Sequence, residues 1–101
     1  GRVRNRRFGY VKAVRQRPSV SYDPDGDVLY IATRPGIPAV AEEGLPGVMW
    51  RYAVDGGELV GVTVLDFAYY WRPRLDELAD DMARHLKMKR KDALHLLTTV
   101  H

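Results

Sequence analysis

The chain has 101 residues, no cysteine, 46% hydrophobic and 29% charged side chains, and a formal net charge of +3. That length fits one domain, and the hydrophobic content is that of a folded globule and not of a disordered chain. Without cysteine there is no disulfide framework and no thiolate metal site; no apolar run nears the roughly 20 residues of a membrane-spanning helix and no secretory pattern opens the chain, so the reading is of a cytoplasmic protein that does not enter a membrane.

The charge is unevenly spread. Residues 1–17 carry Arg2, Arg4, Arg6, Arg7, Lys12, Arg15 and Arg17 and no acid, which leaves the rest of the chain net acidic. A basic arm of this kind can contact phosphates by releasing counterions, with Arg4, Arg6 and Arg7 as candidate nucleic-acid contacts, although a solvated basic segment explains the same residues. Phe8, Tyr10, Val11 and Val14 within it would let it lie on the domain as a strand or a helix.

A short strand follows at Ser19-Val20-Ser21-Tyr22 and runs into Asp23-Pro24-Asp25-Gly26-Asp27, a tight turn in which Pro presets φ and Gly supplies positive φ. Residues 28–34 read as a strand with Leu29, Ile31 and Thr33 on one face and Val28, Tyr30 and Ala32 on the other. Pro35-Gly36 ends it, and a weaker strand at 39–43 precedes the breaker Gly44-Leu45-Pro46-Gly47. Val48, Trp50, Tyr52 and Val54 then alternate with Met49, Arg51 and Ala53. Asp55-Gly56-Gly57 predicts a hairpin that pairs 48–54 with 58–65, with Val60, Val62 and Val64 on the core face and Leu59, Gly61, Thr63 and Leu65 on the other.

Beyond Asp66 the period changes. An aromatic connection, Phe67-Ala68-Tyr69-Tyr70-Trp71, leads to Pro73, well placed in the first turn of a helix. Leu75, Leu78, Ala79, Met82 and Leu86 recur at helical spacing, with acids early and bases late as the helix dipole favours. The basic run at 87–91 interrupts the helix, and Ala93, Leu94, Leu96 and Leu97 suggest a second. The expected fold is α+β, one domain over 1–101: a basic arm (1–17), a small antiparallel β-meander of four to five strands (19–66), and one or two C-terminal helices (73–99).

Chemistry-bearing patterns are few. Asp23, Asp25 and Asp27 are spaced like the first ligands of a calcium loop, but its sixth position needs Gly and its twelfth Glu, where Val28 and Arg34 stand; turn-capping aspartates are the better account. His85, His95 and His101 lack metal-ligand spacing and read as surface residues of the helices. No nucleophile elbow surrounds Ser19 or Ser21, and Gly56-Gly57 leads into a strand, not into the helix N-terminus a phosphate loop requires. The expectation is a chain with no catalytic, metal or cofactor site.

At Tyr22-Asp23-Pro24-Asp25-Gly26-Asp27-Val28-Leu29-Tyr30-Ile31 the chain resembles the small bacterial family known as domain of unknown function 2283, whose hallmark is Tyr-Asp-Pro, two variable residues, Asp, one variable residue, then Leu-Tyr-Ile. Gly61-Val62-Thr63-Val64-Leu65-Asp66 matches its second hallmark, with Thr63 where an acid is common. The resemblance covers about residues 19–66 and implies a small antiparallel sheet, no known activity, and a loose association with toxin-antitoxin-like gene pairs. The helical segment is also similar to the two-helix part of ribbon-helix-helix repressors, with Lys87 at the turn position that usually holds Gly.

A noncatalytic interaction or oligomerisation module is therefore expected, as a homodimer or bound to a protein partner. The sheet supplies one covered face, whereas the aromatics and helices offer more apolar surface than it covers, so a run of adjacent aromatics leaves some of them outside. Phe67, Tyr70, Trp71, Leu94 and Leu97 are the candidate partner interface. The alternative is an antitoxin-like DNA-binding regulator that contacts nucleic acid through Lys89 and Arg90 of the helix pair or through the basic arm.

Overall fold

The computed structural model describes residues 18–100; the basic arm, with Arg4, Arg6 and Arg7, lies outside the described residues. Alternating apolar residues draw five strands into one antiparallel sheet: β1 (Ser19–Asp23), β2 (Val28–Ala32), β3 (Ala39–Glu43), β4 (Val48–Ala53) and β5 (Leu59–Leu65). Two helices follow, α1 (Leu75–Leu86) and α2 (Arg90–Thr98), so the α+β expectation holds.

The strand order is β1-β2-β5-β4-β3, which departs from a sequential meander at one place: β5 enters between β2 and β4. Composition explains this. β2 and β5 hold the densest apolar sequence and occupy central positions, whereas Ala-Val-Ala-Glu-Glu of β3, almost wholly exposed, would be central in a meander and instead forms an edge. Charged residues on an edge strand also discourage pairing with other chains.

The expected hairpin forms. Gly56 and Gly57 take φ of 86° and 72°, the Gly57 amide donates to the Ala53 carbonyl at 3.1 Å, and β4 pairs with β5 from Val48 opposite Val64. The register is interrupted once: Arg51 faces Gly61, but the next residue, Tyr52, faces Leu59, leaving Val60 as an extra residue. Such a bulge shifts the side-chain period by one. Val62 and Val64 therefore reach the core as expected, but Leu59 packs against the core and Val60, buried outside it, lines a hollow on the opposite face.

Both helices lie on the face bearing Leu29, Ile31, Val48, Trp50, Val62 and Val64, which they cover with Leu78, Ala79, Met82, Ala93 and Leu97. The aromatic connection is a π-helical turn, Phe67–Trp71, that buries Phe67 and Trp71; a single 3-10 turn with Pro73 then enters α1. Arg90 at the start of α2 reaches back to Asp76 at 2.8 Å and Asp80 at 2.6 Å on α1. Between the helices Lys87 adopts a left-handed conformation, φ 55°, where glycine is the unstrained choice. Lys87→Gly is expected to raise stability by about 1 kcal/mol, read as a higher denaturant midpoint at unchanged slope.

Candidate functional site

Because the helices cover one side of the sheet, the other is left bare among the described residues. Two rows of side chains cross it. The first runs Ser21, Tyr30, Thr63, Met49, Glu43 from β1 to β3; the second, two residues along each strand, runs Ser19, Ala32, Gly61, Arg51, Ala41. Tyr30 is 45% exposed and Leu65, above Thr63 on the same face, is 41% exposed. These are large values for an aromatic and an aliphatic residue on a sheet.

A hollow of about 300 Å³ opens on this face, lined by Tyr30, Ala32, Arg51, Thr63 and the loop residues Arg34 and Ile37, among others. Gly61 is its floor. A Cβ there would stand 2.7 Å from the Ile31 carbonyl oxygen, so the close approach of β5 to β2 at the bulge admits only glycine. Arg34 pairs with Glu58 at the rim, whereas Arg51 has no ion pair among the described residues. No carboxylate or imidazole belongs to the lining. Thus the hollow presents the Arg51 guanidinium, without an ion pair among the described residues, two hydroxyls and aliphatic walls.

The aspartate turn has a different role from any ion loop. Asp25 N–H donates to Asp23 Oδ1 at 3.1 Å, an Asx turn as expected. Asp27, at φ 56°, turns its carboxylate toward the aromatic connection: Oδ1 accepts from the Tyr22 hydroxyl at 2.7 Å and the Ala68 amide at 2.7 Å, and Oδ2 from the Tyr69 amide at 3.0 Å. Its main-chain oxygen also receives the Phe67 amide at 3.1 Å. Burial pushes this carboxyl upward, but the Ala68, Tyr22 and Tyr69 bonds and the nearby Arg72 outweigh it and hold the group below the usual aspartate range. The same bond, with burial and the aspartate's charge, raises the Tyr22 phenol. With both oxygens of Asp27 engaged, micromolar calcium is expected to leave the thermal midpoint unchanged; a calcium-dependent rise would show that the turn opens to bind it.

Of the candidate interface residues, Phe67, Trp71 and Leu97 are buried in the core and unavailable as surface. The π-helical turn is the reason, since it brings Phe67 and Trp71 to the same inner side while Tyr69 and Tyr70 point outward, Tyr69 84% and Tyr70 38% exposed. Leu94 is half-buried against the core. Tyr70 stays at the surface, held by Arg74 over its ring at 4.0 Å. Of the candidate nucleic-acid contacts, Lys89 is exposed and Arg90 is engaged by Asp76 and Asp80.

His85, expected on the surface, stacks on Trp50 with ring centroids 3.9 Å apart and planes 10° from parallel, while its Nδ1 lies 2.9 Å from the Asp81 carbonyl oxygen. Asp81 is only 4% exposed; Arg84 donates to its Oδ1 at 3.0 Å, and its Oδ2 and the Trp50 indole nitrogen are buried without hydrogen-bond partners among the described residues. The spacing of Asp81 and His85, four apart on one helix face, was the available signal. No group of three or more His, Asp or Glu among the described residues stands close enough together to hold a metal ion, and no described helix is long and apolar enough to cross a membrane.

Architecture and motif now meet. The molecule is an α+β domain in which one face of a five-stranded antiparallel sheet is covered by a helix pair. Residues 19–67 match the family model described as protein of unknown function (DUF2283), the family whose hallmarks the Tyr22 and Gly61 segments resemble. No curated protein and no solved structure matches the chain. In structural terms the hallmarks are joints of the fold: Tyr22 and Asp27 fasten the first hairpin to the aromatic turn, and Gly61 permits the close approach of β5 to β2.

Proposed function

We propose that this protein is a noncatalytic interaction module, acting in the cytoplasm, whose working surface is the helix-free face of the sheet. One observation carries the reading: α1 and α2 cover a single face, and the opposite face keeps Leu65 exposed and Tyr30 exposed beside a hollow whose Arg51 has no ion pair among the described residues. Tyrosine and arginine beside a cavity are residue types enriched in protein-binding hot spots. The lining of the hollow offers no base, which supports recognition over catalysis.

The DNA-binding alternative has less support. Arg90 is already neutralised by Asp76 and Asp80, so a contact with phosphate would have to displace two intramolecular pairs. Photo-crosslinking separates the readings. In cells that express the protein, a photoreactive residue at Thr63 is expected to give protein adducts that Tyr30→Asp abolishes, whereas the same residue at Glu77, on the exposed side of α1, gives none. Adducts absent at Thr63, or formed only from the helices, would overturn the docking face.

A further inference from the structure

The two rows on the bare face differ in bulk and in charge. Tyr30, Thr63 and Met49 stand in the row that ends in Glu43; Ala32, Gly61 and Ala41 form the neighbouring row, which holds Arg51. The rows are separated by two residues along every strand, roughly 7 Å. A large row beside a small row is a surface that can fit itself.

Resting on the interaction reading, we propose that the occupant of this face is a second copy of the chain, stacked sheet on sheet about a twofold axis that lies between the two rows and runs across the strands. That operation lays each copy's large row over the other's small row. Tyr30 then enters the hollow floored by the other copy's Gly61 and flanked by its Ala32, and Thr63 and Met49 meet Gly61 and Arg51. At the β3 end, Glu43 of each copy comes beside Arg51 of the other, because Ala41, the residue it overlies, is the lateral neighbour of Arg51. A twofold axis parallel to the strands would instead set large on large, small on small, and put Glu43 against Ser21. Shape and charge thus select the first axis, and the isologous contact closes on itself, as a stable dimer requires. Aligned sheets about 10 Å apart accommodate such interdigitating side chains.

A charge-swap cycle tests this with the full chain. Sedimentation equilibrium should give a dimer for the parent; Arg51→Glu and Glu43→Arg should each raise the dimer dissociation constant at least about tenfold, and the double variant R51E/E43R should return it to within about threefold of the parent. Glu43 also accepts the Gly47 amide at 3.0 Å, so circular dichroism melts of each variant confirm that folding is retained. Ala32→Phe, which fills the hollow from the half-buried outward face, should leave the melt close to the parent and yield a monomer. A parent monomeric at every concentration would overturn the second copy as occupant, and a dimer indifferent to both single reversals or to Ala32→Phe would overturn this axis. Failure of the docking face itself reads differently, as absence of Thr63 adducts of any mass.

Discussion

Val62→Asp is expected to leave this chain without a cooperative melting transition. Val62 is 1% exposed, faces Ile31 on one side and Trp50 on the other, and sits beneath the helix pair. An unpaired carboxylate there costs about 3–5 kcal/mol, and the cavity left by the lost methyls adds to it. Against a total stability of about 5–15 kcal/mol, and toward the lower end for a chain this short, little or nothing remains. Thr63→Asp, one residue on and facing outward, should fold and melt close to the parent. The pair of melts reads the parity of β5 directly: a folded Val62→Asp beside an unfolded Thr63→Asp would mean the faces are reversed.

Asp27→Ala comes next in size, at about 2–4 kcal/mol. The substitution removes a charged acceptor from three donors and leaves the Ala68 and Tyr69 amides unpaired at the start of the aromatic turn. Tyr22→Phe removes one of those bonds and should cost less. The effect has a definite dependence on pH. A carboxyl held below the unfolded value of about 3.9 stabilises the fold fully above that value and loses the contribution as pH falls through the lower, folded value. The parent should therefore lose stability on acidification below about pH 4 more steeply than Asp27→Asn, with other carboxylates common to both. Parallel pH profiles for the two proteins would show that the ionised form is not what fastens the turn.

The sequence made the strands legible because their signals are local. The paired glycines of residues 56 and 57 and the alternation on either side specify a hairpin with no help from the rest of the chain; the aspartate turn forms as well, but the positive φ expected of Gly26 is taken by Asp27. What escaped was decided at a distance. That β5 lies beside β2 follows from burying the two most apolar strands together, a choice made among strands and invisible within any one of them. The bulge at Val60 depends on the Thr33 and Arg34 amides, which both donate to the Val60 carbonyl at 2.9 and 3.3 Å. Likewise the partner of Asp27 is found some 40 residues on, so the carboxylate read as a turn cap when it fastens two segments together. For the site, apolar character alone misleads: Phe67, Trp71 and Leu97 read as partner surface because they are hydrophobic, and they are interior for the same reason. Alternation sets Tyr30 and Arg51 on the faces opposite Leu29 and Trp50 but leaves open which side is outward; that is decided by the helix pair, which covers the other side.

Asp27 also bears on what the unit of inheritance is in this molecule. The family match stops at residue 67, within reach of the carboxylate that ties Phe67, Ala68 and Tyr69 to the first hairpin. Yet the side chains that close over Leu29, Ile31, Trp50 and Val62 come from Trp71 onward, beyond the match. A fragment cut at residue 67 would have both sides of its sheet in water, a template for aggregation. The segment by which this chain is recognised is therefore smaller than the segment that can stand alone. In this chain the lid over the inner face is supplied by the residues that follow the matched segment, and the Tyr22–Asp27 clasp is the fixed point from which it departs.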